Sequence, residues 1–250
     1  MTSGGAAQFP ATEARGAKDT EPYGTAVILA YNEAANLEEA LRSMRAVLDA
    51  LPLPFELLVV DDGSTDGTGP LADSLAISLP LTRVVHHGRN LGLGGGYRTG
   101  FAEARGQVIT FFPADGQYPP SIVAQMLPLA ADHDLVLGYV EGRGDSALAA
   151  ALSMGERALY RLLFGPLPPF QGILMLHRHL LQGIELRSRG RGWGVIMELI
   201  LRAHRGGAST AGVPIPLLPR RSGRSKALTL RAIGANLLEL LGLRLRLLGG

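Results

Sequence analysis

The sequence predicts an α/β fold in which a mostly parallel sheet is flanked by helices on both faces. Two observations lead to this class. Short, continuous apolar runs alternate with segments of helical spacing through the first 138 residues, as in parallel strands that are buried on both faces and joined by helices. Hydrophobic residues make up 46% of the 250 residues and charged residues 18%, which is ample apolar material for such a core.

The first half of the chain is expected to alternate strand and helix. The predicted strands cover residues 25–29, 55–60, 82–85, 108–112 and 135–138. The predicted helices cover residues 34–50, 66–79, 94–105 and 121–131. In the first helix Leu37, Leu41, Met44 and Leu48 recur every three to four residues and define one buried face. Sheets of this kind bind ligands at the carboxyl ends of their strands.

The second half is less regular. Residues 147–164 and 193–205 are predicted helices and residues 211–218 a strand. Residues 228–248 are largely apolar but contain three arginines, which favours an interfacial amphipathic helix, with a core-packing or dimer-forming helix as the alternative. The chain is therefore divided into a flexible tail (1–24), a folded domain (25–226) and a C-terminal amphipathic helix (227–250).

Composition limits the environment and the partners. The chain has no cysteine, which excludes disulfides and thiolate metal sites. No basic start followed by an apolar run opens the sequence, and no uncharged apolar stretch is long enough to span a membrane, so a cytoplasmic location is expected. The formal net charge is +2, and arginine is frequent past Gly183, which suits an anionic partner such as phosphate, nucleic acid or a lipid headgroup.

The first polar motif follows the first predicted strand, at Tyr31-Asn32-Glu33. Tyr31 is able to stack on a base, and Glu33 is able to accept hydrogen bonds from base N–H groups. The alternative is structural: Asn32 caps the following helix, and Glu33 favours its positive end. The motif alone supports both interpretations equally.

The second motif follows the second strand, at Asp61-Asp62-Gly63-Ser64. Two adjacent carboxylates after a buried strand are costly unless something binds them, and a ribose diol, a base edge or a metal would do so. The alternative is an ordinary strand-to-helix turn in which Asp66 caps the helix. The doubled aspartate favours the binding interpretation.

Two more motifs follow the third and fourth strands. Asn90 and Gly92 precede a helix whose N–H groups can face a phosphate, while a flexible turn with close helix packing is an equal alternative. Tyr97 occupies the last glycine position of a dinucleotide-binding fingerprint, so that motif is absent. Asp115 and Gln117 suit a hard cation shared with substrate phosphates, although an aspartate in such a turn is usually a turn residue.

The last candidates lie in the second half. Glu198 is a carboxylate in a strongly apolar predicted helix, and it is either a surface residue or an acid/base group tuned by burial. Residues 220–226 contain four cations, two serines and a glycine, as a phosphate clamp needs. A solvated run of charge is the alternative for this segment.

Together, and in this order, the motifs resemble the family 2 glycosyltransferases, especially the dolichyl-phosphate mannosyltransferase and polyprenyl-phosphate glycosyltransferase branch. The resemblance runs from about residue 26 to residue 226 and rests on Tyr-Asn-Glu, Val-Asp-Asp-Gly-Ser-Thr-Asp-Gly-Thr, Asn-Leu-Gly, Ala-Asp-Gly-Gln and Arg-Ser-Gly-Arg-Ser-Lys. It implies a glycosyltransferase A-type, Rossmann-like fold. It also implies inverting transfer of a sugar from a nucleotide-diphosphate sugar to a polyprenyl phosphate or related lipid.

The resemblance also implies a setting and a set of site residues. Peripheral association with the cytoplasmic face of a membrane and a possible homo-oligomer are expected, and nucleic-acid binding is not. The residues expected to bind the nucleotide-sugar are Tyr31, Glu33, Asp61, Asp62, Ser64, Asn90 and Gly92. The expected catalytic residues are Asp115 and Glu198, and the expected ligands of Mg²⁺ or Mn²⁺ are Asp115 and Gln117. The residues expected at phosphate groups or the acceptor are Arg143, Arg221, Ser225 and Lys226.

Three departures from the family pattern define an alternative. Pro113 replaces the first aspartate of the usual Asp-x-Asp and cannot ligate a metal, so a single carboxylate remains and metal dependence is uncertain. Val140 follows Gly138-Tyr139 where an arginine is common, and residues 147–152 lack a basic residue. The alternative is a degenerate member that binds nucleotide-sugar with little or no transfer. A nicotinamide-dependent oxidoreductase is disfavoured by the missing fingerprint.

Overall fold

The computed structural model describes residues 21–140, 161–218 and 242–244. The strands in these ranges are β1 Gly24–Ala30, β2 Phe55–Asp61, β3 Thr82–His86, β4 Val108–Pro113, β5 Leu135–Tyr139, β6 Leu174–His177 and β7 Thr210–Pro214. The helices are α1 Ala34–Asp49, α2 Thr68–Ser78, α3 Leu93–Glu103, α4 Ile122–Ala130, α5 His179–Gly183 and α6 Gly194–Arg205. Residues 161–164 are also helical.

All seven strands belong to one sheet with the order β3-β2-β1-β4-β6-β5-β7. β6 runs antiparallel to β4 and β5, and the remaining neighbours are parallel. The chain builds outwards from β1 to β3 and then crosses to the other side of β1, so the strand order reverses between β1 and β4. In open α/β sheets, ligands bind at such a reversal, outside the carboxyl ends of the strands. The predicted mostly parallel sheet flanked by helices is confirmed.

Two apolar layers bury both faces of the sheet. In β2, Leu57 and Val59 face the layer formed with α1, α2 and α4, whereas Leu58 and Val60 face the layer formed with α3 and α6. Successive strand residues point to opposite faces. Each residue must therefore be apolar when helices cover both faces, which explains the continuous apolar runs.

Helix α3 lies close to the sheet because its glycines leave room. A Cβ atom on Gly100 would lie 2.4 Å from Cε1 of Phe111 and 3.0 Å from Cγ1 of Val27. One turn earlier, the ring of Tyr97 packs 4.6 Å from that of Phe111, centroid to centroid. Tyr97 is almost completely buried, and this burial raises the pKa of its hydroxyl. The position of α3 therefore depends on the missing side chain at Gly100.

The structure differs from the sequence prediction at several elements. β6 and α5 were not predicted, because elements of four and five residues are too short to show a periodicity. β7 ends at Pro214 rather than at residue 218, since Pro216 has no N–H with which to extend the ladder. Helix α2 begins at Thr68, two residues later than expected.

Several predictions fall partly or wholly outside the described residues. Of the helix predicted over 147–164, the structure describes only residues 161–164. Most of the predicted tail and of the predicted C-terminal helix lies outside the described ranges, so the division into three parts stays a prediction. β1 begins at Gly24, one residue earlier than expected. Leu243 is buried in a cluster with Phe164, Met197 and Leu201.

Substitution of Gly100 by alanine tests the close approach of α3 to the sheet. We expect Gly100→Ala to lower the free energy of unfolding by about 1–3 kcal/mol, the usual effect of overpacking a core. Gly88→Ala is the control, because a Cβ atom there meets nothing within 4 Å. It should change stability by less than about 0.5 kcal/mol in urea denaturation. Equal stabilities for the two variants would contradict the packing argument.

Candidate functional site

The carboxyl ends of β1, β2 and β4 lie side by side. The backbone N–H of Asp62 donates to the carbonyl of Ala30 at 2.8 Å, and that of Ala114 donates to the carbonyl of Leu29 at 3.0 Å. Adjacent strands are about 4.8 Å apart. Tyr31, Asp62 and Asp115 therefore emerge next to one another where the strand order reverses, and we call this edge the candidate site.

The carboxylate of Asp62 accepts four hydrogen bonds from the turn formed by residues 87–92. Its Oδ1 accepts from Nδ1 of His87 and from the backbone N–H of Leu91, both at 2.7 Å. Its Oδ2 accepts from Nδ2 of Asn90 and from the backbone N–H of Gly92, both at 2.8 Å. A carboxylate offers about four lone-pair positions, so these contacts use all of them. Asp62 thus organises the 87–92 turn, and its direct contact with a donor stays a prediction.

Asp61 is held in a similar way by the neighbouring histidine. Its Oδ2 lies 2.9 Å from Nδ1 of His86, and its Oδ1 accepts from the N–H of Ser64 at 3.1 Å. Burial alone would raise the pKa of Asp61, but the hydrogen bonds from Ser64 and His86 outweigh it and the pKa lies below its ordinary value. The other ring nitrogen of His86 lies 3.0 Å from Oδ1 of Asp73. The hydrogen bonds to Asp61 and Asp73 raise the pKa of His86.

His86 and His87 were missed in the sequence analysis. The signal was present, because a histidine pair follows one strand just as an aspartate pair follows its parallel neighbour. In the register of β2 and β3, Asp61 lies opposite His86, which brings the two pairs together. The paired carboxylates do have binding partners, and many of these partners belong to the protein itself.

The loop from Ser64 to Thr68 is bonded to the start of α1. The hydroxyl of Ser64 accepts from the N–H of Asn32 at 2.9 Å, and that of Thr68 accepts from the N–H of Glu33 at 2.9 Å. Asp66 accepts from the N–H of Thr68 and, at 3.2 Å, from the first N–H of α1. The alternative in which Asn32 caps α1 is wrong: Asn32 adopts a left-handed conformation, with φ of 54°, and its side-chain oxygen accepts from Thr65.

Tyr31 and Glu33 lie at the mouth of the candidate site. The relative exposure of Tyr31 is 36%, which leaves part of the ring open to stacking. Glu33 is half-buried, and its Oε2 accepts from Nδ2 of Asn36 at 2.6 Å. Their roles in base recognition stay predictions.

Asp115 follows β4 and is almost fully buried, at 4% exposure. Its Oδ1 accepts from the backbone N–H of Gln117 at 3.1 Å, and Nε2 of Gln117 lies 3.5 Å from the carbonyl of Leu218. Within the described ranges, no group of three or more histidine, aspartate or glutamate side chains is arranged to hold a metal. One carboxylate beside an amide fits Mg²⁺ or Mn²⁺ only where substrate phosphates and waters supply most ligands, as is common for Mg²⁺.

Gly92 and Gly94, at the start of α3, are explained by packing against residues 184–193, which connect α5 to α6 and are called the 184–193 loop. A Cβ atom on Gly92 would lie 2.6 Å from the carbonyl oxygen of Arg191, and one on Gly94 would lie 2.4 Å from that of Gly190. The N–H of Gly94 donates to Arg191 at 2.9 Å. Of the two interpretations of this motif, close packing is therefore observed, and phosphate contact stays a prediction.

Glu198 lies in the middle of α6 and is fully buried, with 0% exposure. It accepts from the backbone N–H groups of Arg187 and Ser188 at 3.0 and 2.7 Å, and from Nε of Arg202 at 2.9 Å. Burial alone would raise the pKa of Glu198, but these hydrogen bonds outweigh it and lower the pKa below the ordinary value. The surface alternative is wrong, and Glu198 is an ionised anchor beneath the 184–193 loop. Its expected catalytic role has no support in these contacts.

The four remaining predicted residues are not described by the structure, and a cavity lies elsewhere in the fold. Arg143, Arg221, Ser225 and Lys226 lie outside the described residues. A cavity of about 630 Å³ lies between α5 and the end of α6, lined by Asp134 and Arg205 among others. Asp134 precedes β5, so this cavity faces the amino-terminal edge of the sheet and is not the candidate site.

Comparison with known proteins identifies the family. Residues 25–176 match the sequence profile described as Glycosyl transferase family 2. The chain belongs to this family. As a member, it is a glycosyltransferase, which confirms the enzyme class expected from the motifs.

Curated relatives of this glycosyltransferase include two that it matches over most of their length. It is 30% identical over 213 residues to an undecaprenyl-phosphate mannosyltransferase from Micrococcus luteus, covering 80% of this chain and 85% of the relative. It is 34% identical over 213 residues to a polyprenol monophosphomannose synthase from Mycolicibacterium smegmatis, covering 80% and 79%. A dolichol-phosphate mannosyltransferase from Pyrococcus furiosus is 28% identical, but only 58% of its length is covered.

Solved structures confirm the glycosyltransferase A-type fold. A glucosyl-3-phosphoglycerate synthase from Mycobacterium tuberculosis, in complex with Mn²⁺, UDP and glucosyl-3-phosphoglycerate, has a TM-score of 0.64 and 21% identity, covering 88% of this chain and 80% of that one. At this identity the likeness concerns the fold. No helix formed by the described residues of this glycosyltransferase is long and apolar enough to cross a membrane.

The pairing of His86 with two carboxylates predicts a pH-dependent stability. Because the folded pKa is raised above the unfolded value of about 6.5, the pairing stabilises the fold fully below that pH. The contribution disappears as the pH rises through the folded pKa. We expect wild type to exceed His86→Gln in free energy of unfolding by under about 1 kcal/mol at pH 6, since the ring is partly exposed. The difference in free energy of unfolding should shrink towards pH 8. A difference that does not change with pH would contradict the proposed stabilisation by protonated His86.

Proposed function

We propose that this glycosyltransferase moves a sugar from a nucleotide-diphosphate sugar to a polyprenyl phosphate or related lipid phosphate, with inversion at the anomeric carbon. The observation that carries the proposal is the convergence of Tyr31, Asp62 and Asp115 at adjacent strand ends where the strand order reverses. The proposed acceptor class is based on the relatives of the chain. An undecaprenyl-phosphate mannosyltransferase and a polyprenol monophosphomannose synthase are similar to it over 80% of its length.

The nucleotide is proposed to lie over the ends of β1 and β2. Tyr31 stacks on the base with the exposed part of its ring, and Glu33 accepts from base N–H groups. Asp61 and Ser64 line the same end. Asp62 acts through the 87–92 turn, which it holds beside the proposed donor position by its hydrogen bonds from Asn90 and Gly92. Bound Mn²⁺ or Mg²⁺, held by Asp115 and Gln117, would neutralise the negative charge of the diphosphate.

The chemical step needs little proton transfer from the protein. An oxygen of the acceptor phosphate attacks the anomeric carbon, and the bond from that carbon to the nucleoside diphosphate breaks on the opposite face. A phosphate monoester is already ionised near neutral pH, so no general base has to activate it. The protein's main tasks are to align the two substrates and to bind their negative charge. The predicted phosphate-binding residues, Arg143, Arg221, Ser225 and Lys226, are proposed for the second task.

The lipid acceptor implies that the enzyme works at a membrane surface. We propose peripheral association through the predicted C-terminal amphipathic helix, with arginines at the headgroups and apolar residues in the interface. The cytoplasmic face is proposed because nucleotide-sugars are made in the cytoplasm. A homo-oligomer is compatible with this arrangement but is not required by it.

A second candidate function is binding of nucleotide-sugar with little or no transfer. Pro113 favours this candidate, because it occupies the place of the first aspartate of the usual Asp-x-Asp. Asp115 is then the sole carboxylate of that motif, and charge neutralisation of the leaving diphosphate is weaker. Turnover with a lipid-phosphate acceptor separates the two candidates.

A thermal-shift panel tests donor binding. We expect one class among UDP-, GDP- and TDP-sugars to raise the melting temperature, because a ligand that binds only the folded state stabilises it. At 100 times its dissociation constant, such a ligand adds about 2.7 kcal/mol. Transfer to undecaprenyl phosphate in detergent is then measured with the donor that binds. Failure of every donor to shift the melting temperature, with and without Mn²⁺, would contradict the proposed function.

Substitution of Asp115 tests the proposed metal position. We expect Asp115→Asn to lower Mn²⁺-stimulated turnover by about 100-fold or more, since it removes a charge placed to act on the leaving group. Nucleotide binding without metal should persist. Asp132→Asn is the control, because Asp132 is an exposed carboxylate beyond α4. Full stimulation of the Asp115 variant by Mn²⁺ would place the metal elsewhere.

A further inference from the structure

The 184–193 loop is clamped between two parts of the fold. On one side it is bonded to α6 through Glu198, and on the other it is bonded to the 87–92 turn and to α3. The 87–92 turn donates hydrogen bonds to Asp62 in the candidate site. A continuous chain of hydrogen bonds therefore links a buried carboxylate in α6 to the donor end of the sheet.

The first part of this chain is the anchor at Glu198. This carboxylate accepts the backbone N–H groups of Arg187 and Ser188 and pairs with Arg202 four residues further along α6. A backbone N–H pair bonded to one ionised carboxylate fixes both the position and the direction of the loop backbone at that point. Glu198 is fully buried, so no substrate reaches it.

The second part is the contact of the loop with α3. Nη1 of Arg98 donates to the carbonyl of Gly190 at 3.1 Å, and the carbonyl of Arg191 accepts the N–H of Gly94 at 2.9 Å. The absence of side chains at Gly92 and Gly94 lets the loop backbone reach this depth. The loop is therefore seated directly on the first turn of α3.

The third part joins the loop to the turn. Nη1 of Arg191 donates to the backbone carbonyl of Asn90 at 2.7 Å, and Nη2 donates to its side-chain oxygen. This guanidinium fork orients the amide of Asn90 so that Nδ2 points at Asp62, to which it donates at 2.8 Å. Displacement of the loop would release Asn90 and leave Asp62 with fewer of its four donors.

We propose that Glu198 and Arg191 are positioning residues of the donor site, which set the 87–92 turn through the 184–193 loop without touching the donor. The inference rests on the proposed function, since it assigns these residues to the binding of the nucleotide-sugar. It replaces the expected acid/base role of Glu198. The two roles predict different kinetics.

Kinetics of Glu198→Gln distinguish positioning from acid/base catalysis. The variant loses the negative charge, and an NH2 group replaces one of two oxygens: Oε2, which accepts from the loop, or Oε1, which accepts from Arg202. A positioning residue predicts a donor dissociation constant and KM raised about tenfold or more, with kcat much less affected and its pH profile unchanged. An acid/base residue predicts a fall in kcat of about 100-fold or more and the loss of one limb of the pH profile, and that result would overturn the inference.

Arg191→Ala keeps the inference testable if the first variant folds poorly. The side chain of Arg191 is exposed, so its removal should leave the melting temperature nearly unchanged. We expect it to weaken donor binding about tenfold, and the double variant with Glu198→Gln to be less than additive, because both act through one loop. Arg205→Ala, an exposed arginine at the end of α6, is the matched control and should bind the donor as wild type does.

The single tryptophan reports the loop independently of activity. Trp193 ends the loop and packs against Tyr97 and Phe170, at 5.9 and 6.2 Å between ring centroids. We expect acrylamide to quench the fluorescence of Trp193 more strongly in Glu198→Gln than in wild type. Donor binding should reduce this quenching. If wild type binds no nucleotide-sugar, the proposed function fails. If wild type binds and both variants bind equally well, the positioning inference alone fails.

Discussion

Four N–H groups converge on one carboxylate, that of Asp62, and the arrangement of the candidate site depends on this contact. A carboxylate buried to 7% exposure at the end of a strand would be strongly destabilising without such donors. Here the donors come from a single turn between β3 and α3, so satisfying the charge also fixes that turn. Burial of Asp62 therefore gives the 87–92 turn a defined conformation at the carboxyl edge of the sheet.

The neighbouring Asp61 is also a buried carboxylate that needs hydrogen-bond donors, and one of its donors is a histidine side chain. Its partner His86 is shared with the exposed Asp73, so both ring nitrogens face carboxylates and the protonated imidazole is favoured. His87, by contrast, is shielded between Asp62 and the hydroxyl of Thr99. Two adjacent aspartates are thus stabilised by two adjacent histidines, one near the surface and one within the site.

The second half of the chain is bonded to the candidate site through the 184–193 loop. Glu198 and Asp62 are both buried carboxylates that accept backbone N–H groups, and each fixes one of two segments that meet at Arg191 and Asn90. This arrangement explains why glycine is required at residues 92 and 94, where two backbones come into contact. Hydrogen bonds thereby link the candidate site to helix α6 through Glu198 and the 184–193 loop.

The sequence by itself determined a mostly parallel sheet with flanking helices, without β6 and α5, and the family. Continuous apolar runs and 3.6-residue spacing are local properties of the sequence. The motifs at the strand ends, and the order in which they occur, can also be read directly from it. Only the tertiary structure decided what those motifs do. The pairing of Asp62 with His87 and Asn90, and of Glu198 with the loop, joins residues that lie 10 to 30 positions apart. Such pairings follow from strand register and loop packing, which no local pattern encodes.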